Sequence, residues 1–278
     1  MRQKLVDLHT HSSASDGLYS PAELVNLASK AGLSAIALTD HDTVDGLVEA
    51  EEAAVKAGIE FIPGIEIGIV HEGEEIHILG YYLSNRNLLN QELKVQKVER
   101  LNRMIAMRKK MSDMGFKIGI DEVLAESGEA APGRMHLARL LVKKRYVHST
   151  DQAFSLYLKQ DGPAYVPRKT ISLDSVMELL SRTAKLIAIA HPKKAGESLI
   201  KLLLEKGLNA VEVFHPEHSK ERVNYYKKVA AENKLLITGG SDYHGDRGSR
   251  SYPVRLAIDY SYLDNIKGFI NGDYPFLR

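Results

Sequence analysis

The sequence predicts an α/β fold, a (β/α) barrel interrupted by an all-helical insertion, and three observations carry that reading. Short apolar runs alternate with helical patterns over the first 87 residues and again from Leu173 onward, as repeated strand–helix units do. Between these stretches, from about residue 88 to 165, the apolar spacing is helical. Polar residues, histidine above all, gather where the predicted strands end, which is where a parallel α/β barrel builds its active site.

Leu5–Leu8 reads as the first strand. Pro21–Ala31 reads as a helix with Ser20 as N-cap, Pro21 at its first position and Gly32 after it. Ala35–Thr39 is a strand, Val44–Ala57 a helix closed by Gly58, and Ile59–Ile62 a strand. Ile65–Val70 and Glu75–Tyr82 flank His71-Glu72-Gly73-Glu74 as a hairpin. Leu89, Leu93, Leu101, Met104, Ile105 and Met111 then recur at helical spacing, and shorter helices follow at Ile120–Glu126, Arg134–Val142 and Ser149–Lys159. The alternation resumes with helix Leu173–Arg182, strand Leu186–Ala190, helix Ser198–Lys206, strand Ala210–Phe214, helix Lys220–Asn233 and strand Leu235–Thr238. The expected division is a barrel formed by 1–87 and 166–278, with 88–165 inserted in it.

Composition narrows the chemistry. The 278 residues allow one large domain, or one domain with an insertion, and 44% hydrophobic residues supply a sizeable core. The absence of cysteine excludes a disulfide framework, a thiolate zinc site, a Cys-ligated iron–sulfur cluster and a Cys nucleophile. Asp7, His9 and His11 interrupt the N-terminus before a signal-peptide apolar core could form. The longest apolar runs fall far short of the ~20 residues that span a bilayer. A soluble, cytoplasmic protein without an obligate protein partner is expected. Charge is balanced at 37 Lys+Arg against 36 Asp+Glu, yet residues 94–145 hold thirteen basic and six acidic residues, a local net of +7. That segment suggests an anionic ligand, with a solvated helix surface as the plainer alternative.

The eleven histidines supply the sharper signal. His9-Thr10-His11 follows the first strand, with Asp7 before it and Asp16 after; in extended chain His9 and His11 point the same way and form a two-nitrogen chelate. Asp40-His41-Asp42 ends the second strand, where Asp42 could also cap the helix from Val44. Glu66 follows Pro63-Gly64, and His77 lies on the next strand. His191-Pro192, His215-Pro216 and Gly239-Gly240-Ser241-Asp242-Tyr243-His244-Gly245 end later strands. Each of these alone reads equally well as a packed, capping or turn residue. Their repetition at strand after strand points to a multinuclear metal site.

At these residues the chain resembles the PHP (polymerase and histidinol phosphatase) superfamily of metal-dependent phosphoesterases. The motifs are Asp7-Leu8-His9-Thr10-His11-Ser12, Leu38-Thr39-Asp40-His41-Asp42, Pro63-Gly64-Ile65-Glu66, His77-Ile78-Leu79-Gly80-Tyr81, Ala190-His191-Pro192, Val211-Glu212-Val213-Phe214-His215 and Gly240-Ser241-Asp242-Tyr243-His244-Gly245. Their order and spacing are specific where each alone is not. One departure is Thr183-Ala184-Lys185, a turn where a glycine pair is expected. The helical insertion and its Gly133-Arg134-Met135-His136-Leu137-Ala138 look like the small stand-alone branch that includes nucleotide phosphatases and a 5′-to-3′ exoribonuclease.

The resemblance implies a distorted (β/α)7 TIM-like barrel and three divalent metals per chain. One would be held by His9, His11, Glu66 and Asp242, a second by bridging Glu66 with His77 and His191, and a third by Asp16, His41 and His244. Imidazole and carboxylate without thiolate suit Mn²⁺, Fe²⁺, Zn²⁺ or Mg²⁺. Asp40 is expected to orient a ligand. Arg134 and His215 are the candidates for gripping the phosphate, with His215 as a proton donor to the leaving group. The remaining His71, His136, His148 and His218 are expected at the surface or in packing, His218 near the pocket. The implied function is hydrolysis, by a metal-activated hydroxide, of phosphate esters on nucleotides (nucleoside mono- or 3′,5′-bisphosphates) or of short RNA from its 5′ end. The basic insertion would cover the mouth. Its few aromatics, Phe116, Tyr146, Phe154, Tyr157 and Tyr165, argue against sequence-specific RNA reading. Histidinol phosphate phosphatase and a non-catalytic metal-binding accessory module are the alternatives.

Overall fold

The computed structural model describes residues 4–192, 197–245 and 252–273. The chain opens with β1 (Leu5–Asp7), α1 (Pro21–Lys30), β2 (Ala35–Leu38), α2 (Leu47–Ala57), β3 (Glu60–His71) and β4 (Glu74–Tyr81). Four helices follow: α3 (Arg86–Asp113), α4 (Ile120–Ser127), α5 (Arg134–Lys143) and the short α6 (Thr150–Ala153), which runs into a π-helical turn at Phe154–Leu158. The alternation returns with α7 (Leu173–Thr183), β5 (Leu186–Ala190), α8 (Glu197–Glu205), β6 (Ala210–Phe214), α9 (Lys220–Glu232), β7 (Leu236–Gly239), β8 (Ile258–Asp259) and α10 (Ser261–Ile270).

The eight strands form one sheet in the order β7-β6-β5-β4-β3-β2-β1-β8. β1, β2 and β3 are parallel, as are β5, β6 and β7, while β4 runs against both β3 and β5 and β8 runs against β1. Beyond the ladder, the backbone after β1 meets the backbone after β7. Leu8 N–H donates to Gly239 O at 3.2 Å, Asp242 N–H to His9 O at 2.9 Å and His11 N–H to Tyr243 O at 3.1 Å. These bonds nearly close the sheet into the expected distorted barrel, and they join the first metal motif to the last.

Strand alternation sorts the core. Ile36, Leu38, Ile187 and Ile189 are buried in one cluster with Leu24, Leu47, Val176 and Leu203 of the surrounding helices. Their neighbours Ala35, Ala37, Leu186 and Ala188 point the other way, into a second cluster with Val6, Tyr81, Leu263 and Ile266. Met104, Met107, Met111, Val123, Leu137, Leu141 and Leu158 form a third cluster among the helices between β4 and α7. The 28-residue α3 ties the parts together, because its Leu89 and Leu93 pack in the first cluster and its methionines in the third. Ile105, on the apolar stripe expected from the sequence, is 43% exposed; Met107 is buried instead. Among the described residues no helix is long and apolar enough to cross a membrane.

Local chemistry sets most element ends as expected. Ser20 caps α1: its hydroxyl accepts from Glu23 N–H at 3.2 Å while the Glu23 carboxylate accepts from Ser20 N–H at 2.8 Å, a reciprocal pair worth about 1 kcal/mol. Three expectations need correction. The strands expected at Ile59–Ile62 and Ile65–Val70 are one strand, β3. Pro63 keeps register with Leu38, its carbonyl accepts from Leu83 N–H at 3.3 Å, and Gly64 lets β2 and β4 approach where a Cβ would come within 2.8 Å of the Thr39 methyl. Asp42 does not cap α2, which begins at Leu47 behind Gly46, because two arginines take its carboxylate. The helix expected over Ser149–Lys159 breaks into α6 and the π-helical turn.

Candidate metal centre

The site is built from the ends of the barrel strands. After β1 the chain stays extended, so His9 and His11 lie on one side with ring centroids 5.2 Å apart. Glu66 sits in the middle of β3, where its N–H and C=O pair with Asp40 and Asp42 beyond the end of β2. Because β4 runs backwards, its early residues lie at the ends where its neighbours finish. His77 is therefore paired with Ala190 and brought beside His191. His244 and Asp242 arrive on the loop after β7, and Asp242 takes a left-handed φ of 49°.

All nine predicted ligands converge on Glu66 and its surroundings. Glu66 Oε1 lies 2.7 Å from His77 Nδ1 and 2.9 Å from His191 Nε2. Glu66 Oε2 lies 3.0 Å from His41 Nδ1, 3.2 Å from His11 Nε2 and 3.3 Å from His9 Nε2. Asp242 Oδ1 lies 3.1 Å from His11 Nε2 and 3.6 Å from His9 Nε2, and Asp16 Oδ1 lies 3.3 Å from His244 Nε2. Three groups of donor atoms are close enough to hold an ion: His11, Asp16, His41 and His244; His9, His11 and Glu66; and His41, Glu66 and His77. His11 and His41 are thus shared between groups that the sequence reading kept apart.

The donor set fits divalent cations. His9 Nε2, both ring nitrogens of His11, His41 Nδ1 and Glu66 Oε2 are buried without a hydrogen bond. Such an unpaired buried polar atom costs about 1–3 kcal/mol, so a cluster of them is expensive unless cations take the lone pairs. Burial opposes charge on Glu66, but the imidazoles of His41, His77 and His9 hold its carboxyl well below the usual carboxylate range. Burial likewise opposes charge on Asp16, and His41 and His244 hold it well below that range. Both acids are therefore ready as anionic ligands.

A second layer holds the ligands in place. Glu212, fully buried on β6, lies 2.9 Å from His9 Nδ1 and accepts from His191 N–H at 2.7 Å. Asp7 accepts from His9 N–H at 3.1 Å, Ser241 N–H at 2.9 Å and the Tyr252 hydroxyl at 2.7 Å. Asp40 supports a candidate ligand through a turn, not through an imidazole. It accepts from Ser12 N–H at 2.8 Å, the Ser12 hydroxyl at 2.6 Å and the Ser15 hydroxyl at 2.5 Å, and so shapes the turn that carries Asp16. Glu212 was assigned no role from the sequence; its signal was an acid inside an otherwise apolar strand.

Above the ligands opens a cavity of about 870 Å³. Asp16, His41, His77, His191, Asp242 and His244 line its base, and Arg100, Arg103, Arg134 and Arg168 its wall. Two acids, the buried Asp42 and the part-buried Glu75, organise these cations. Asp42 accepts from Arg100 Nε at 2.7 Å and from Arg168, while Glu75 lies 2.9 Å from Arg134 and 3.5 Å from Arg103. Burial opposes charge on Glu75, but Arg134, His77 and Arg103 lower its pKa to about 2. Arg134 also lies 5.8 Å from the Phe154 ring centre and 5.9 Å from that of Tyr165.

His215 is buried beside His191, ring centroids 5.0 Å apart. Its Nδ1 accepts from Glu217 N–H at 3.2 Å, which leaves the proton on Nε2, 3.3 Å from Asp242 Oδ2. Of the other histidines, His71 lies in the cavity wall, His148 is exposed, His218 is 2.9 Å from Val213 O, and His136 is buried with Nδ1 accepting from Gly133 N–H at 2.9 Å.

Comparison with known proteins agrees with this geometry. Residues 7–238 match the PHP domain model. A 5′-3′ exoribonuclease from Haemophilus influenzae is 34% identical over 249 residues, 87% of this chain and 90% of the relative. A 3′,5′-nucleoside bisphosphate phosphatase from Chromobacterium violaceum is 30% identical over 86% of this chain and 87% of its own. The solved structure of a candidate metal-dependent phosphoesterase from Bifidobacterium adolescentis superposes with a TM-score of 0.87 at 29% identity, covering 95% of this chain and 96% of the other. With His, Asp and Glu side chains able to hold metal ions gathered at the open end of such a barrel, the chain belongs to the PHP domain family of metal-dependent phosphoesterases.

Proposed function

We propose that the protein hydrolyses phosphate esters of nucleotides, either a terminal phosphate of a nucleoside mono- or 3′,5′-bisphosphate or the 5′ end of a short oligoribonucleotide. The observation that carries this is a cluster of nine His, Asp and Glu side chains, six of which line the base of a cavity whose wall holds four arginines. The names of the relatives, an exoribonuclease and a nucleoside bisphosphate phosphatase, support the same substrate class.

Three divalent cations would be held by His9, His11, Glu66 and Asp242; by Glu66, His77 and His191; and by Asp16, His41 and His244. Bound there, divalent ions supply Lewis acidity toward phosphoryl oxygens and lower the pKa of water toward ~7. The chain's own groups do the rest. Arg134, held by Glu75, presents a guanidinium to the phosphate. His215 keeps a proton on Nε2 and presents that N–H as a hydrogen-bond donor to the phosphate and its leaving oxygen. The barrel, 1–87 and 166–278, carries the ligands; the helical segment 88–165 covers the mouth and contacts sugar, base or further phosphates.

A metal-reconstituted assay against adenosine monophosphate, nucleoside 3′,5′-bisphosphates, histidinol phosphate and short 5′-phosphorylated RNA tests the proposal. Turnover of the nucleotide substrates, lost on chelation and in folded His9→Ala and Asp242→Ala variants, is expected. Full activity in either variant, or a preference for histidinol phosphate, overturns it. Affinity for an RNA strand should fall steeply with salt, and that for a mononucleotide far less.

A further inference from the structure

Asp16 and His244 differ from the other ligands in how they are supported. His9, His11, Glu66, His77 and His191 lie on strands or within four residues of a strand end, where ladder bonds fix their backbone. Asp16 stands nine residues beyond β1 and His244 five beyond β7, on two irregular loops. Each loop has local bonds: Gly17 N–H donates to Ser12 O at 2.8 Å, and Leu18 N–H donates to His244 O at 2.8 Å. Neither bond ties the pair to a rigid element.

A helix provides that tie. Arg139, on α5, donates from one terminal nitrogen to Asp16 O at 2.6 Å and to His244 O at 3.2 Å. The same guanidinium reaches Gly17 O at 3.5 Å through its other terminal nitrogen. One planar, permanently charged group thus bridges the carbonyls of two ligand residues whose side chains are 3.3 Å apart. The helix is itself held firmly, because Leu137, Ala138, Leu140 and Leu141 beside Arg139 are buried in the helical core. Gly133, at the start of the same helix, lies beside Asp16: a Cβ there would be 3.6 Å from Asp16 Oδ2, ordinary van der Waals contact.

We propose that Arg139 is a positioning residue that sets the Asp16–His41–His244 ligand group from the helical segment, so that one of the metals depends on helices that contribute none of its ligands. The inference rests on the assignment of these residues as ligands. Arg139 donates to the backbone carbonyls of both residues and acts through Asp16 and His244. Lysine, a point charge on a flexible stem, cannot hold both carbonyls in fixed geometry.

The experiment is calorimetric titration of metal-free protein with Mn²⁺, with bound metal counted by elemental analysis, for wild type, Arg139→Gln, Arg139→Lys, Asp16→Asn and the double variant Arg139→Gln/Asp16→Asn. Lys143→Gln, an exposed change on the same helix, serves as control. Outer support of a ligand is typically worth 10–100-fold in metal affinity. Arg139→Gln is therefore expected to weaken one class of Mn²⁺ site at least tenfold and leave the others within twofold, with Arg139→Lys between it and wild type. Asp16→Asn should weaken the same class, and the double variant should lose little more than the worse single one. Equal weakening of every class, wild-type binding in Arg139→Gln, or independent losses in the double variant overturns the proposal. If His9→Ala and Asp242→Ala leave Mn²⁺ binding intact, the ligand assignment fails first, a result separable from any behaviour of Arg139.

Discussion

Glu212 Oε1 stands 2.9 Å from His9 Nδ1, with both side chains fully buried. The pairing places a proton on His9 Nδ1 and turns Nε2 toward Glu66 and Asp242. Metal-ligating histidines need such a partner to fix tautomer and ring direction. Glu212 does more than this, since its other oxygen accepts the backbone N–H of His191. One acid on β6 therefore orients a ligand after β1 and another after β5.

Glu212→Gln keeps the shape and removes the charge. Metal affinity is expected to fall about 10–100-fold while the fold persists. Mn²⁺ titration of the purified variant checks this, and unchanged affinity contradicts it.

His136 reads out pH through stability. Burial, the first cause, lowers its pKa from 6.5 to about 4, so the folded protein holds it neutral. The unfolded chain binds a proton near 6.5, and the stability His136 contributes is full above that pH and lost as pH falls from 6.5 toward 4. The loss reaches at most about 3 kcal/mol. His136→Gln keeps an acceptor for Gly133 N–H, as glutamine does in capping boxes. Denaturant melts of both proteins from pH 8 to 4.5 should show the variant losing less stability on acidification, and parallel profiles would contradict that assignment.

Asp42 balances two arginines, the buried Arg168 and the part-buried Arg100. Burial opposes its charge, and the two guanidiniums hold its carboxyl well below the usual range. Asp42→Asn leaves both cations uncompensated, which costs about 3–5 kcal/mol and should lower the Tm by roughly 10 °C. Thermal melts of the metal-free and metal-loaded forms measure this. A shift of one or two degrees would mean that solvent already compensates the pair.

Gly68 admits the guanidinium of Arg168. A Cβ at this position would lie 2.3 Å from Arg168 Nη1 and 3.2 Å from the His77 ring. Gly68→Ala should therefore destabilise the protein by about 1–3 kcal/mol and weaken metal binding, because the overpacked atoms belong to a ligand and to the partner of Asp42. Chemical denaturation and Mn²⁺ titration of one preparation separate the two effects.

The clustering of the candidate ligands was legible because of where they stand in the chain. His9-Thr10-His11, His41, His191 and Asp242-Tyr243-His244 all follow runs that read as strands, and strand ends of an α/β barrel meet at one face. The cap expected of Asp42 failed, and the partners of Asp40 were not legible, for one reason. Local pattern offers an acid before a helix as a cap or beside a histidine as its partner. What decides is which donors arrive from elsewhere: Ser12 and Ser15 for Asp40, Arg100 and Arg168 for Asp42. Arg168 lies 126 positions from Asp42 along the chain, beyond any periodic signal.

The sequence by itself determined the alternation of strand and helix, the helical stretch within it, and the imidazole and carboxylate chemistry of the site, since these follow from local spacing and residue type. Only the tertiary structure decided that β4 also pairs with β5 and so carries His77 beside His191, that Glu66 is the acid on which five imidazoles converge, and that Glu212, Asp42 and Arg139 hold the candidate ligands and the cavity wall. The physical reason is burial. A charge removed from water is defined by the partners that compensate it, and in this barrel those partners come from distant strands and from helices that supply no ligand.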